Sequence, residues 1–525
     1  MAQNLILVAI VLFLCLMAEK LSGKVGMPAL ILFMGVGMLF GSDGILRIAF
    51  DDYGLAQNIC LIALCFIMFY GGFNMKWSAA RPVAVKAICL STIGVVVTAV
   101  FCLVVLKFDF VDAFLMGAVL SSTDAASVFS VLRTKKLNLK DGTASILEME
   151  SGSNDPVAYL LTMIGIMMKT GGSLSSLPYM IFAQVVFGLA IGAAAASLGI
   201  LLLKKGTMRA AGMDMILVIA LVMIAFGLSE AIGGNAFLTV YLMGILLGNS
   251  NIRGKETLIP FFDGMTGLAQ IVLFFLLGLL SFPHKLPQIF FVSLAIAIVL
   301  TVIIRPVTVF LIMKPFKCSS RQCLMISWAG LRGAASIVFA IMVIAASSSS
   351  SDTLFHTVFM VALLSVAIQG TLLPFVAEKL KMVDDSCDVR MTFNDYKEAS
   401  EITMMQMEIP EGHNWENRLV KDVSMPTGSL AVMIKRHGET LIPGGDTRIL
   451  AGDTIVLSVP AYESGGQEHL EEQEITPKHR WCNKTIAELM LPHGTLIVLV
   501  RRDNENIIPN GQTEILEGDH VVIYR

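Results

Sequence analysis

The chain has 525 residues, 55% hydrophobic and only 15% charged, with a mean hydropathy of +0.74 and a net charge of −3. A soluble domain carries about 25% charged residues, so a water-soluble globular class is excluded. The net charge says little about partners, and no nucleic-acid partner is expected.

Apolar runs of span length recur from Asn4 to about Val376, each long enough for a hydrocarbon core of roughly 30 Å. They predict thirteen transmembrane helices in residues 1–380, centred near Val11, Met34, Cys65, Gly94, Val119, Leu160, Gly188, Ala220, Leu242, Phe274, Ile296, Ser336 and Leu364. The first run, NLILVAIVLFLCLMAEK, has no basic leader and no small-x-small cleavage site, so it reads as a span and not a cleaved signal. Basic residues gather in alternate loops: Lys20/Lys24, Lys76/Arg81/Lys86, Arg133/Lys135/Lys136/Lys140, Lys204/Lys205/Arg209, Arg253/Lys255, Lys314/Lys317/Arg321 and Lys379/Lys381. Positive loops stay in the cytoplasm, which predicts an outside N-terminus and a cytoplasmic C-terminus. The nine Cys contain no CxxC and read as packing residues.

Polar residues interrupt three of these spans. In the fifth, FLMGAVLSSTDAASVFSVL (114–132) places Ser121, Ser122, Thr123 and Asp124 at mid-span. Such residues favour caps and turns, predicting a discontinuous helix whose ends line an ion site. Alternatively, Asp124 caps a kinked helix, which is compatible with that role. At the sixth span, EMESGSNDPVAYLL (148–161) brings Glu148, Glu150 and Asp155 into an otherwise apolar run. A charge at mid-bilayer costs about 2.5–3.5 kcal/mol on insertion scales, so an intramembrane acid is retained for a function or a partner. On a helix, Ser151, Asn154 and Asp155 share one face, offering hydroxyl, amide and carboxylate oxygens to a hard monovalent cation. Pro156 removes a donor and frees the Gly152 carbonyl. Glu148 sits nearer the cytoplasmic end, where water can reach it. In the twelfth span, WAGLRGAASIVFAIM buries Arg332 between Gly330 and Gly333; either it reaches cytoplasmic water or it needs an acid, and Glu150 is the expected partner. Spans five and twelve are seven apart and therefore antiparallel, as in an inverted repeat of spans 1–6 and 8–13 with two crossing interrupted helices.

Beyond Val383 no span-length apolar run remains. Residues 415–458 align without gaps with 481–524 at an offset of 66, identical at 17 of 44 positions. Both copies keep P-x-G, an alternating apolar strand and IP-x-G-x-T-x-IL-x-GD. These period-2 strands and Gly-rich turns predict two small modules, 400–460 and 481–525, joined by a polar linker, 461–480.

These repeats resemble the TrkA-C (RCK-C) module of potassium-transport proteins, a small α/β unit. The resemblance implies a ligand, nucleotides included, bound between paired modules somewhere in 400–525. The segments STDAASVFSVL, ESGSNDPVAYLL and GLRGAAS are similar to signatures of the monovalent cation:proton antiporter superfamily. Asn154-Asp155 matches the motif of its electroneutral Na⁺/H⁺-exchanger and NhaP-like branch, and FFDGMTGLAQIVLFFLLGLL (261–280) with the tail resembles the bacterial potassium/proton subgroup. By that likeness Asp155 carries cation and proton in turn and Asn154 supports it. Thr123 and Ser151 ligate K⁺ or Na⁺, Asp124 compensates exposed helix ends, and Glu150 pairs with Arg332. One departure is FYGGFN, where Tyr70 replaces the acid many relatives carry before the GG of the third span.

The resemblance further implies a homodimer in the bacterial inner membrane, in contact with lipid, acting as an antiporter and not an enzyme. It needs no cofactor for transport and is regulated through the tail by a nucleotide such as cyclic di-AMP or an adenine nucleotide. A Na⁺/H⁺ antiporter is the alternative. A ligand-gated cation channel lacks a TVGYG-like filter, and a receptor anchored by its spans would not need Asp155.

Overall fold

The computed structural model describes residues 2–524 except 26–27, 49, 51, 106–108, 136, 206–211, 253, 347–351, 384–401, 424, 426–428, 437–438, 461–469, 476–478, 490, 492–495, 503–504 and 508. Of the basic loop residues, Lys136, Arg209 and Arg253 lie outside the described residues. The chain divides into two compact units, Met1–Tyr396 and Lys397–Arg525.

The first unit is helical. Its helices are α1 Ala2–Val25, α2 Ala29–Phe40, α3 Tyr53–Asn74, α4 Trp77–Ala80, α5 Ala84–Val105, α6 Phe110–Leu120, α7 Ala125–Thr134, α8 Thr143–Lys169 and α9 Leu177–Lys205. There follow α10 Met213–Ala231, α11 Ala236–Gly248, α12 Lys255–Leu279, α13 Leu286–Ile298, α14 Arg305–Met313, α15 Ser320–Trp328, α16 Ala334–Ala346, α17 Asp352–Leu364 and α18 Thr371–Lys379. Each expected span centre falls in one of these helices. Among the described residues eight helical stretches are long and apolar enough to cross a membrane, and α2, α6, α11 and α16 are shorter apolar helices. The unit is a multi-pass membrane structure.

Caps at the helix starts explain where several of them begin. Asp52 accepts from Leu55 N at 2.8 Å, Asn235 from Leu238 N at 3.0 Å and Ser319 from Gln322 N at 3.1 Å, each satisfying an orphan N–H of a first turn. Close helix approach uses glycine: a Cβ on Gly37 of α2 would lie 2.1 Å from the Phe275 carbonyl oxygen of α12. Two π-helical segments, Val299–Ile304 and Ser365–Gly370, interrupt the α13–α14 and α17–α18 passages; such bulges are frequent at functional sites.

The interruptions expected in spans five and twelve are present. Residues 121–124 separate α6 from α7, and 329–333 separate α15 from α16. The breaks meet: Asp124 N donates to the Leu331 carbonyl at 2.8 Å.

The second unit contains two antiparallel four-stranded sheets. The first, from β1 Ile402–Glu408, β2 Leu430–Arg436, β3 Glu439–Leu441 and β4 Thr454–Pro460, has the order β1-β4-β2-β3. The second uses β5 Leu470–Glu474, β7 Leu496–Arg502, β8 Glu505–Ile507 and β10 His520–Tyr524 in the order β5-β10-β7-β8, while β6 Lys484–Thr485 pairs with β9 Glu514–Ile515. Equivalent cores form at the repeat offset, around Ile434 with Ile455 and Val500 with Val521. The tail differs from expectation in two ways. Its described residues form strands and 3-10 turns, with no α-helix among them, in keeping with short period-2 segments separated by Gly- and Pro-containing turns. The stretch read as a linker contains β5, which pairs with β10 from Leu470↔Tyr524 to Glu474↔His520; residues 461–469 and 476–478 of it lie outside the described residues.

Each module carries the same clasp. Arg436 Nε and Nη2 donate to the Asp453 carboxylate at 2.8 and 2.7 Å, and Arg502 does the same to Asp519 at 2.8 and 2.7 Å. Both aspartates are fully buried. Bidentate pairing of this kind is the strong form of charged hydrogen bond. The Asp453 bond holds Arg436 above its ordinary pKa. Burial alone would favour protonated Asp519, but Arg502 and the Leu516 N–H outweigh it, so that carboxyl titrates below its ordinary value.

Candidate functional site

The site forms where α8 passes the break between α6 and α7. Asp155 is 6% exposed, and its Oδ1 accepts from the Ser122 hydroxyl at 2.5 Å. Next to it, Asn154 Nδ2 donates to Thr123 Oγ1 at 2.5 Å. Ser151 Oγ donates to the Thr123 carbonyl at 2.8 Å and accepts from Ala125 N at 2.9 Å. The hydroxyl-rich break is therefore stitched to one face of α8, the face that carries Ser151, Asn154 and Asp155.

Both open helix ends are compensated. Asp124 caps α7, accepting from Ser127 N at 3.2 Å and the Ser127 hydroxyl at 2.5 Å. At the opposite end, Arg332 Nη1 donates to the Ser122 carbonyl at 3.1 Å, just past α6. An anion at a helix N-terminus and a cation at a C-terminus both lower the dipole energy. The two breaks are in contact: a Cβ on Gly333 would lie 2.3 Å from Asp124 Cβ, so only glycine fits there.

The expected Glu150–Arg332 ion pair is not the one formed. Glu150 is 1% exposed and meets Arg305 of α14, whose Nη2 lies 2.6 Å from Oε1 and donates to Oε2 at 2.8 Å. Arg332 is occupied instead by the Ser122 carbonyl, and its own N–H donates to Ser365 Oγ at 3.0 Å. Arg305 was not singled out in the sequence. It follows the π-helical Val299–Ile304 and precedes Pro306, a setting that in sequence reads as a span-end arginine reaching for water.

Beside this constellation lies a cavity of about 500 Å³. Ser122, Thr123, Asp124, Ser151 and Asp155 line it, together with Glu19, Tyr70, Glu148, Tyr241, Asp263, Thr266 and Gln270. Among the described residues its lining holds five acids, Glu19, Asp124, Glu148, Asp155 and Asp263, and no Lys, Arg or His. Glu19 and Asp263 are exposed whereas Asp155 is buried. A cleft lined by one sign of charge concentrates the opposite ion. Tyr70, the departure noted above, is part of the wall.

Two broken helices crossing at their breaks, with a lone buried carboxylate facing an acid-lined cavity, define a membrane transporter that exchanges monovalent cations for protons. The family of the sodium/hydrogen exchanger, transmembrane, matches residues 8–379, and the TrkA-C domain matches 404–461 and 470–524. The chain belongs to the sodium/hydrogen exchanger family and carries two TrkA-C domains. It is 34% identical over 450 residues to the K(+)/H(+) antiporter NhaP2 of Shewanella sp. (strain MR-4), covering 84% of this chain and 78% of that one. It is 31% identical over 466 residues to the K(+)/H(+) antiporter NhaP of Alkalimonas amylolytica, covering 86% and 80%. Its fold is similar to that of a sodium proton antiporter from Methanocaldococcus jannaschii, with a TM-score of 0.62 and 21% identity, over 72% of this chain and 99% of that one.

Proposed function

We propose that the protein exchanges K⁺ for H⁺ across a bacterial plasma membrane, one for one, with Asp155 holding either ion in turn. The observation that carries this reading is the buried Asp155 carboxylate, bonded to a neutral hydroxyl and open to a cavity whose described lining holds no basic residue. A carboxylate with a fixed cationic partner would be neutralised permanently. Here the neutralising charge is left to a mobile ion. Proton and dehydrated cation compete for the same oxygens. The unneutralised carboxylate is the form least able to pass apolar side chains, so movement requires one cargo or the other, and exchange is obligatory.

Ser122, Thr123, Ser151 and Asn154 supply or hold neutral oxygens around the ion, while Asp124 and Arg332 keep the broken helix ends in place. Glu150 and Arg305 fix α8 against α14. K⁺ is favoured over Na⁺ by the two relatives named as K⁺/H⁺ antiporters and by the absence of a second carboxylate at Tyr70. The basic loops orient the C-terminal tail to the cytoplasm, and the exposed ends of the cavity, Glu19 and Asp263, lie by the same rule on the cytoplasmic side. The chain works as a homodimer, and its TrkA-C domains adjust exchange in response to a small ligand, an adenine nucleotide or cyclic di-AMP, that binds active and inactive states unequally.

The test is proton flux in vesicles reconstituted with the full chain at zero membrane potential. An imposed K⁺ gradient drives protons in the opposite direction, and Asp155→Asn abolishes that flux. Cation-driven proton movement surviving in that variant would refute the assignment.

A further inference from the structure

The cavity extends beyond the residues used so far. Along α8 it runs from Asp155 back to Glu148, seven residues and about 10 Å at the helical rise. Gly152 lies between them. A Cβ there would meet Tyr241 of α11 at 2.3 Å from Cε2 and 2.5 Å from Oη. The phenol therefore occupies the place a side chain at 152 would take, and its hydroxyl sits over the helix one turn from Asp155.

Tyr241 is 4% exposed, and its hydroxyl, close to the Ser153 side chain, makes no hydrogen bond of standard geometry. Thr266 of α12, 8% exposed, also lines the cavity and presents a hydroxyl without a partner. Buried polar groups left unpaired are costly and uncommon. Two such hydroxyls in one acid-lined cavity are explained if an ion periodically occupies it.

We propose that Tyr241, with Glu148 and Thr266, forms a second cation-holding station that receives the ion before Asp155 and sets which cation passes. This inference rests on the antiport reading. The station combines one carboxylate with neutral oxygens. Such a low-charge oxygen set compensates the dehydration of a large monovalent ion better than that of a small one, so it favours K⁺ over Na⁺ and Li⁺. It also gives Glu148 a role and accounts for the glycine at 152.

The experiment compares K⁺-driven and Na⁺-driven proton flux for wild type, Tyr241→Phe, Thr266→Val and Glu148→Gln, each as the full chain in vesicles. Tyr241→Phe keeps the ring that packs on Gly152. It should raise half-saturating K⁺ by about threefold to tenfold, the worth of one lost ion–oxygen contact, with maximal rate within about twofold and a reduced preference for K⁺ over Na⁺. Glu148→Gln should raise half-saturating K⁺ further. If either aromatic or hydroxyl variant is unstable, Glu148→Gln still carries the test. Unchanged half-saturation and unchanged selectivity in these variants, or a loss confined to maximal rate, overturns the second station while leaving the antiport reading intact. Absence of K⁺-dependent proton flux in the wild type would instead overturn the antiport reading itself.

Discussion

Replacing Arg305 by alanine leaves the Glu150 carboxylate, 1% exposed, without its cation. Breaking a buried pair from one side costs about 3–5 kcal/mol, because the remaining charge stays desolvated. Arg332 cannot take over without leaving the Ser122 carbonyl that it bonds at 3.1 Å. Arg305→Ala and Glu150→Ala should therefore each destabilise by amounts in that range, and the double variant by clearly less than the sum, with a coupling of about 0.5–3 kcal/mol. A volume-matched apolar pair, Arg305→Met with Glu150→Leu, should recover most of the loss. Glu150→Ala combined with Arg332→Ala should be nearer to additive. Unfolding in mixed detergent micelles supplies the free energies; where unfolding is irreversible, half-lives at one temperature rank the same variants. Strict additivity for Glu150 with Arg305, or stronger coupling to Arg332 than to Arg305, would refute the pairing.

Two further outcomes concern the tail. Because Asp519 titrates below its ordinary value in the folded module, its contribution to stability is present above the unfolded carboxyl pKa and is lost as pH falls through the folded one. Protection of β10 from hydrogen exchange in the full chain should thus drop under acid conditions in wild type, whereas Arg502→Ala, in which the guanidinium no longer offsets the burial of Asp519, should be less protected at neutral pH and lose less on acidification; identical acid profiles would remove the clasp from the account. Truncation after Lys381 should preserve Asp155-dependent exchange and alter its pH profile or its response to adenine nucleotides and cyclic di-AMP. A truncated protein that matches the full chain in every condition would exclude a regulatory tail.

The parts of the site that could be read in the sequence are those whose chemistry conflicts with their surroundings. Ser121–Asp124 cannot continue an apolar helix comfortably, and a break is found there. Asp155 cannot sit idle in a span, and it faces the cavity. Partner choice was not legible, because it depends on which helices pack together. Arg332 and Arg305 are both arginines among apolar residues, and only the fold brings α14 to Glu150 and the α6 end to Arg332. Tyr241, within AFLTVYLMGILLG, carries no sign of facing Gly152. In the tail, the 66-residue offset predicted two like modules, and the clasps repeat at that offset. The strand LEEQE was missed because four acid or amide side chains in succession suit a solvated linker. As an edge strand it needs only one hydrogen-bonded neighbour, and charged residues there discourage further pairing.

The central claim is that one carboxylate binds cation and proton in competition. Titrating K⁺ into the purified full chain in detergent, while measuring released protons, tests it most directly. At a pH where Asp155 is protonated before K⁺ is added, the account predicts release of about one proton per protein molecule at saturating K⁺, as competition for one carboxylate requires, and none from Asp155→Asn. K⁺ binding without proton release, or equal release from the variant, would contradict it.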